Sequence, residues 1–315
     1  MVAMKRNSGS RALRAVACAA VLPLMGMGVA GAAEAGAAAS LRDRYAELKD
    51  QLGHTQFRRP LYMDSNESSN GVSGEIYALV DHSFATTDAA LYMPSQWCDV
   101  LILHLNTKYC RPSTASLGTI LQVNIGKKYD QPVDEAYRVD FAYRVAARTA
   151  NFLQVKLNAE EGPLGTRDYH IVFEAVPAEA GRTFIRLSYS YSYGLMGRLA
   201  MQAYLGTTGR DKVGFTVVGK DADGQPNYIG GMRGVVERNT MRYYLAVEAF
   251  LGALSVLPSA RVEKSLGAWI ASVEGYPRQL HEMERGEYLD MKRREYSRQQ
   301  AGALTTKAPV AGDGG

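Results

Sequence analysis

Apolar and polar residues alternate through the middle of the chain, and this period of two predicts β-strands. The clearest run, residues 182–193, places apolar and tyrosine side chains on one face and Arg186 with several serines on the other. The same alternation marks residues 74–82, 119–129, 137–147, 151–158, 167–176 and 212–219. About seven such strands predict a curved antiparallel sheet with one face on the core and one in water.

Helical spacing of apolar residues flanks and interrupts these strands. Before the first strand, a short helix begins near Ser40, and the polar, serine- and glycine-rich residues 58–74 predict a loop. A long helix is predicted over residues 232–256, ahead of Pro258. Shorter helices are predicted over residues 86–92, 94–105, 195–205, 262–273 and 280–300. The fold class is therefore α+β.

The N-terminal residues have the three parts of a secretory signal. Four basic residues and no acid precede an apolar stretch over residues 15–29, and the small-residue run Ala30-Gly-Ala-Ala33 follows. The apolar stretch is shorter than the roughly 20 residues that a membrane-spanning helix needs, and no second one follows. We predict a periplasmic or secreted protein with no integral membrane segment after signal cleavage.

The domain organisation follows from these elements. We predict a signal peptide over residues 1–32, an N-terminal helix and polar loop over 33–73, a main domain over 74–257, a C-terminal helical extension over 258–300 and a disordered tail over 301–315.

Removal of the signal changes the charge balance. The chain has 36 Lys and Arg against 32 Asp and Glu. Four of the basic residues lie before residue 33 and the first acid is Glu34, so the rest of the chain carries 32 charges of each sign. A near-neutral mature protein lacks the basic surface that nucleic-acid binding requires. We expect no nucleic-acid partner.

Two of the three cysteines, Cys98 and Cys110, follow the predicted signal. In an oxidising compartment an even pair at short separation predicts a disulfide, and closing that loop contributes about 3 kcal/mol of stability. A metal site would need more ligands, and only His104 lies nearby in the sequence. We predict the disulfide and no metal or cofactor.

The order of strand, two short helices, further antiparallel strands and a long helix resembles the helix-grip fold of the START-like (SRPBCC) superfamily. The resemblance covers residues 74–257 and rests on residues 74–84, the helix with Trp97, the strands over 119–218 and the helix through residues 242–250. The helix at 195–205 and everything after Pro258 lie outside the usual pattern. The resemblance implies a sheet wrapped on a helix and a cavity for a hydrophobic ligand. A lipocalin-type barrel would need more strands and no helix pair after the first strand.

A tyrosine stripe gives the most suggestive candidate site. If one face of the strands points inward, several phenol hydroxyls lie in an apolar space, as in small-molecule sites. The alternative is that tyrosines are good strand formers at half-buried positions. With the two helices that the resemblance places around the cavity, the predicted ligand-binding residues are Trp97, His104, Tyr143, Tyr169, Tyr189, Tyr191, Tyr193, Tyr243 and Val247.

Catalytic motifs are weak in this chain. Asp99 and His104 are five positions apart, which places them poorly for contact on one helix, and a disulfide would remove Cys98 as a nucleophile. Asp81 and His82 are adjacent strand residues and point to opposite faces. We therefore predict no catalytic residue.

Three functions remain open from the sequence. The first is a periplasmic protein that binds or carries a hydrophobic, lipid-like small molecule. The second is a cyclase- or hydrolase-type enzyme that uses the same cavity, with Tyr and His as acid and base. The third is a structural envelope protein that acts through its C-terminal helices.

Overall fold

The computed structural model describes residues 27–116, 118–207, 209 and 211–305. The chain divides into two compact units, residues 1–37 and 38–315. In the first unit, the described residues are helical, and residues 1–26 of the predicted signal peptide lie outside the described residues. Among the described helices, none is both long and apolar enough to span a bilayer.

The second unit is built on one eight-stranded antiparallel sheet. Its strands are β1 (Leu61–Glu67), β2 (Gly71–Val80), β3 (Thr107–Ala115), β4 (Gly118–Ile125), β5 (Tyr137–Thr149), β6 (Phe152–Glu161), β7 (Thr166–Pro177) and β8 (Thr183–Tyr193). The spatial order is β1-β2-β8-β7-β6-β5-β4-β3, so β1 and β3 form the two edges. A separate hairpin contains β9 (Val217–Lys220) and β10 (Pro226–Tyr228).

The helices are α1 (Met27–Gly53), α2 (Phe84–Leu91), α3 (Pro94–Leu101), α4 (Leu195–Gly206), α5 (Gly231–Ala253), α6 (Arg261–Glu274), α7 (Pro277–Leu280) and α8 (Arg285–Thr305). The long helix α5 packs against β1, β2 and β8, and α6 packs on α5. The core lies between the sheet and α5, where alternate residues of β8 point inward from Ile185 to Tyr193. The α+β helix-grip class predicted from the sequence is confirmed.

The sequence missed two strands and misplaced a third. Residues 58–74 are not a loop, because β1 and the start of β2 form a hairpin there. Residues 107–115 form β3, which was missed because its alternation is interrupted and because it contains Pro112. A proline is tolerated there because β3 is an edge strand. The predicted strand 212–219 does not join the main sheet, since only Val217–Lys220 is extended and it pairs with β10.

The C-terminal helix α8 covers the β3 edge of the sheet. Its Gln299 side chain accepts a hydrogen bond from the backbone N–H of Cys110 at 3.1 Å, which satisfies a donor that an edge strand leaves open. Residues 301–305, predicted as part of a disordered tail, continue α8, whereas residues 306–315 lie outside the described part of the chain. The C-terminal extension therefore completes the core.

The sheet's second face is not uniformly wet. The ring of Tyr45 on α1 lies 4.7 Å from that of Phe184 on β8, and Leu41, Leu48 and Leu52 of the same helix are buried. The second half of α1 thus covers part of the face that alternation assigned to solvent.

The predicted disulfide between Cys98 and Cys110 is present, with a Cα–Cα separation of 5.2 Å. It joins α3 to β3. Both cysteines are buried, and Cys98 is therefore no free thiol.

Candidate functional site: a tyrosine-lined cavity

A cavity of about 430 Å³ lies between the sheet and α5. Tyr189 and Tyr191 on β8 and Tyr169 on β7 supply its floor, because residues two apart on a strand point to the same face. Tyr243 on α5 closes the opposite side, and α4 contributes Met201. The cavity is open to solvent near Leu164, whose side chain is 70% exposed.

The tyrosine rings form one continuous aromatic cluster. The rings of Tyr169 and Tyr191 stack at 5.3 Å between centroids with an interplanar angle of 15°. Tyr189 links this pair to α5, since its ring lies 5.3 Å from that of Tyr243. These separations are in the range of favourable aromatic contacts. The cluster therefore offers a ligand several rigid ring faces and edges.

The hydroxyl groups of this cluster are largely available. Tyr169 donates to the Thr166 hydroxyl at 2.7 Å, and that hydroxyl in turn donates to the Pro163 carbonyl. Within the described part of the chain, the hydroxyls of Tyr189, Tyr191 and Tyr243 make no hydrogen bond. Burial raises the pKa of Tyr169 to about 12 and also raises the pKa of the other three, so all four phenols are neutral at physiological pH.

His104 lies beside this cluster as a neutral imidazole. Its Nδ1 accepts a hydrogen bond from the Asn106 backbone N–H at 3.1 Å, which places the proton on Nε2, and its ring stacks on Tyr243 at 4.8 Å. Burial, followed by the charges of Arg242 and Lys292, holds the pKa of His104 well below its usual value. The buried Nε2 has no hydrogen-bond partner among the described residues.

The structure brings five of the nine predicted ligand-binding residues together around the cavity: His104, Tyr169, Tyr189, Tyr191 and Tyr243. The other four do not line it, and each is held elsewhere. Trp97 donates its indole N–H to the Leu91 carbonyl at 2.8 Å, and Val247 is buried in the core. Tyr143 donates to the Tyr92 carbonyl, and Tyr193 to the Ser68 carbonyl. A ligand-binding role for the nine residues stays a prediction.

A smaller pocket of about 220 Å³ adjoins the cavity and was not predicted from the sequence. Lys128, Arg238 and Arg242 line it. The two spaces share five lining residues: Asn106, Leu164, Met201, Val235 and Asn239. The three cations come from the β4–β5 connection and from α5, more than 100 positions apart, so no local motif announced them.

Glu282, which follows α7, anchors the cations beside this pocket. Its carboxylate accepts from Lys128 at 2.6 Å and Arg242 at 2.8 Å, and lies 3.3 Å from Lys212. Desolvation and the neighbouring Arg242 charge lower the pKa of Lys128 to about 8. Cationic side chains therefore predominate in the wall of this pocket.

The catalytic alternatives weighed in the sequence are not assembled. Asp99 makes no hydrogen bond or ion pair with His104 in the described structure, and burial raises the pKa of Asp99 to about 6. Cys98 is in the disulfide. No group of three or more possible His, Cys, Asp or Glu ligands for a metal ion occurs among the described residues.

Comparisons with known proteins give only distant likenesses. No family model matches the chain, and no curated protein matches it. Norcoclaurine synthase from Thalictrum flavum is 15% identical with a TM-score of 0.32, over 45% of this chain and 90% of that one. Human StAR-related lipid transfer protein 5 is 8% identical with a TM-score of 0.30, over 54% and 90%. A conserved protein of unknown function from Enterococcus faecalis is 8% identical with a TM-score of 0.29, over 76% and 91%. At this distance the likenesses carry no argument about what the chain binds.

Proposed function

We propose that the protein binds and carries a hydrophobic small molecule in the tyrosine-lined cavity. The observation that carries the proposal is the cavity itself, whose volume of about 430 Å³ lies within the roughly 300–1,000 Å³ of ordinary small-molecule sites. Aromatic walls with a few polar groups are typical of such sites. His104 lines the cavity, and its Nε2–H has no partner among the described residues, so we propose that an acceptor group on the ligand binds there.

Binding is better supported than catalysis. An acid–base mechanism needs a proton donor and acceptor whose pKa values lie near the working pH. Here burial moves the pKa of His104 down and those of Tyr189 and Tyr243 up, so none of these groups changes charge near pH 7. Glu135 lines the cavity from an exposed position and makes no hydrogen bond to these side chains.

A partner-binding role for the C-terminal helices is less favoured, because these helices belong to the core. Trp269 on α6 is fully buried and donates its indole N–H to the Arg242 carbonyl of α5 at 3.1 Å. Its ring stacks on Tyr288 of α8 at 4.9 Å. The helices therefore form part of the scaffold that holds α5.

We also propose that the protein is exported to the periplasm or secreted. The basic and apolar residues before Ala33 support this proposal, and so does the Cys98–Cys110 disulfide, since such bonds persist in oxidising compartments. The second compact unit begins at Ala38, so cleavage near Ala32 would remove none of it. Mass spectrometry of the secreted or periplasmic fraction is expected to show a new N-terminus between residues 30 and 34. An intact N-terminus, or recovery from the cytoplasm alone, would contradict export.

The binding proposal is tested with N-phenyl-1-naphthylamine, a neutral aromatic probe that fluoresces in apolar surroundings. We expect saturable binding to the wild-type protein. Asn239→Trp places an indole where the cavity meets the smaller pocket, and it is expected to weaken binding by at least about tenfold, equivalent to about 1.4 kcal/mol. Lys264→Trp adds the same ring at an exposed site on α6 and serves as the matched control.

Equal probe affinity in the wild type and both variants would contradict the binding proposal, provided that circular dichroism shows all three folded. Native mass spectrometry of the protein purified without detergent gives an independent measurement, because a bound apolar molecule is expected as an added mass that Asn239→Trp abolishes.

A further inference from the structure

The small pocket beside the tyrosine cavity concentrates positive charge, whereas the tyrosine cluster and His104 are neutral. Lys128, Arg238 and Arg242 contribute to its wall. In the ion pairs of this cluster, three cations, Lys128, Arg242 and Lys212, share the single carboxylate of Glu282. Arg238 also donates to the neutral Val213 carbonyl at 3.1 Å.

Two of these cations, Arg238 and Arg242, are almost fully removed from water, and burying a cation is costly unless anions or hydrogen-bond acceptors surround it. Arg242 is 2% exposed and Arg238 3% exposed. The lowered pKa of Lys128 has the same origin, namely desolvation followed by the charge of Arg242. An oxyanion in the pocket would offset both the desolvation of these side chains and the repulsion between them, because charge-assisted hydrogen bonds from Arg and Lys are among the strongest in proteins.

The pocket and the cavity are adjacent parts of one site. Asn106, Met201 and Asn239 line both spaces, so a molecule can extend from the tyrosine rings to the cations. The two asparagine side chains lie at the junction, and a polar linkage between the two parts of a ligand would lie beside them.

We propose that the ligand is an amphipathic acid, whose hydrophobic body occupies the tyrosine cavity and whose oxyanion group binds Lys128, Arg238 and Arg242. The inference rests on the proposed function and adds the chemical class of the ligand. Carboxylate and phosphate head groups share the chemistry that this pocket recognises. A neutral lipid would place no oxyanion against these three side chains.

Two probes that differ in one group test the inference. 1-Anilinonaphthalene-8-sulfonate is N-phenyl-1-naphthylamine with a sulfonate added, so the difference in their affinities reports the anion subsite alone. We expect the wild-type protein to bind the sulfonate probe about tenfold more tightly than the neutral probe, because one charge-assisted hydrogen bond contributes about that much affinity. Raising the sodium chloride concentration from about 20 to about 500 mM is expected to weaken binding of the sulfonate probe but not binding of the neutral probe.

Two lysine variants form a matched pair, because both side chains contact Glu282 but only Lys128 lines the pocket. Lys128→Met is expected to lower the affinity for the sulfonate probe about tenfold and to change the affinity for the neutral probe by less than about twofold. Lys212→Met is expected to change either affinity by less than about threefold. Circular dichroism checks that both variants are folded.

The outcomes separate the inference from the proposed function. If the neutral probe binds the cavity but the sulfonate adds no affinity, or if salt affects both probes equally, the inference is wrong and the proposed function stands. If neither probe binds, both are wrong. Inorganic phosphate at millimolar concentration has the charge without the hydrophobic body, and we expect it not to displace the sulfonate probe. Displacement would assign the pocket to a free anion and contradict the amphipathic ligand.

Discussion

Acid is expected to destabilise the protein through one buried side chain, His104. The imidazole is neutral in the folded protein because burial and the nearby charges of Arg242, Lys292, Lys128 and Lys108 keep its pKa well below the ordinary 6.5. After unfolding, the side chain regains the ordinary value. As the pH falls below 6.5, the unfolded chain therefore binds up to one more proton than the folded protein, until the folded imidazole itself is protonated.

The size of the effect follows from that single proton. A group with a depressed folded-state pKa contributes stability that is present above the unfolded-state value and is lost as the pH falls below it. The loss is about 1.4 kcal/mol per pH unit, so between pH 7.5 and pH 5.0 His104 costs about 2 kcal/mol of unfolding free energy. For a protein with a total stability of roughly 5–15 kcal/mol, this is a measurable fraction.

Urea unfolding followed by circular dichroism measures the effect when the wild type is compared with His104→Gln. Glutamine offers an acceptor for the Asn106 N–H and does not titrate. In the difference in stability between the two proteins, the pH-dependent contributions of the groups that both share, including Asp99, cancel. We expect the stability of the variant relative to the wild type to rise by about 2 kcal/mol from pH 7.5 to pH 5.0. His170→Gln alters an exposed histidine bonded to Asn158 and is the matched control. A pH-independent difference between wild type and His104→Gln would refute the reasoning.

Two further predictions concern the C-terminal helix and the disulfide. Glu295→Gln removes the carboxylate shared by the buried Lys108 and Lys292, and it is expected to lower the unfolding free energy in urea by about 3–5 kcal/mol. The control Glu287→Gln, on the exposed side of α8, is expected to lower it by less than about 0.5 kcal/mol. Equal effects would contradict the buried network. Reduction of the Cys98–Cys110 bond, which closes a sequence separation of 12, is expected to lower the unfolding free energy by about 3 kcal/mol, and an unchanged urea midpoint in reductant would contradict a stabilising role.

The sequence predicted the interior strands of the sheet and missed its edges, for a physical reason. Strands β5 to β8 have neighbours on both sides and turn one face to the core, so apolar and polar residues mostly alternate along them. Edge strand β1 is half exposed, with Asp64 and Glu67 in solvent, and its polar composition indicated a loop. Pro112 and the basic residues of β3 disguised the other edge.

The same limits apply to the site. The tyrosines of the cavity could be predicted because Tyr189 and Tyr191 lie two apart on one strand and therefore share a face. The cationic pocket could not, because Lys128 and Arg242 meet only through the tertiary fold. Lys292 belongs to a run of three basic residues, 292–294, which is typical of a solvated helix face, yet its side chain is fully buried. The available signal was helical spacing alone, since Tyr288, Lys292, Glu295 and Gln299 lie three or four positions apart and therefore share one face of α8.

The buried position of Lys292 makes the C-terminal extension part of the candidate site. Its ammonium group donates to the His104 and Thr107 carbonyls at 2.6 and 2.7 Å, and Tyr288 donates to the Leu103 carbonyl at 2.9 Å. Three hydrogen bonds from α8 thus fix the short segment that presents the His104 ring to the cavity. The START-like resemblance ended at residue 257, but the residues beyond it determine where this polar group lies. A site held by buried side chains of α8 would be preorganised for the proposed ligand, and less binding energy would then be lost in ordering it.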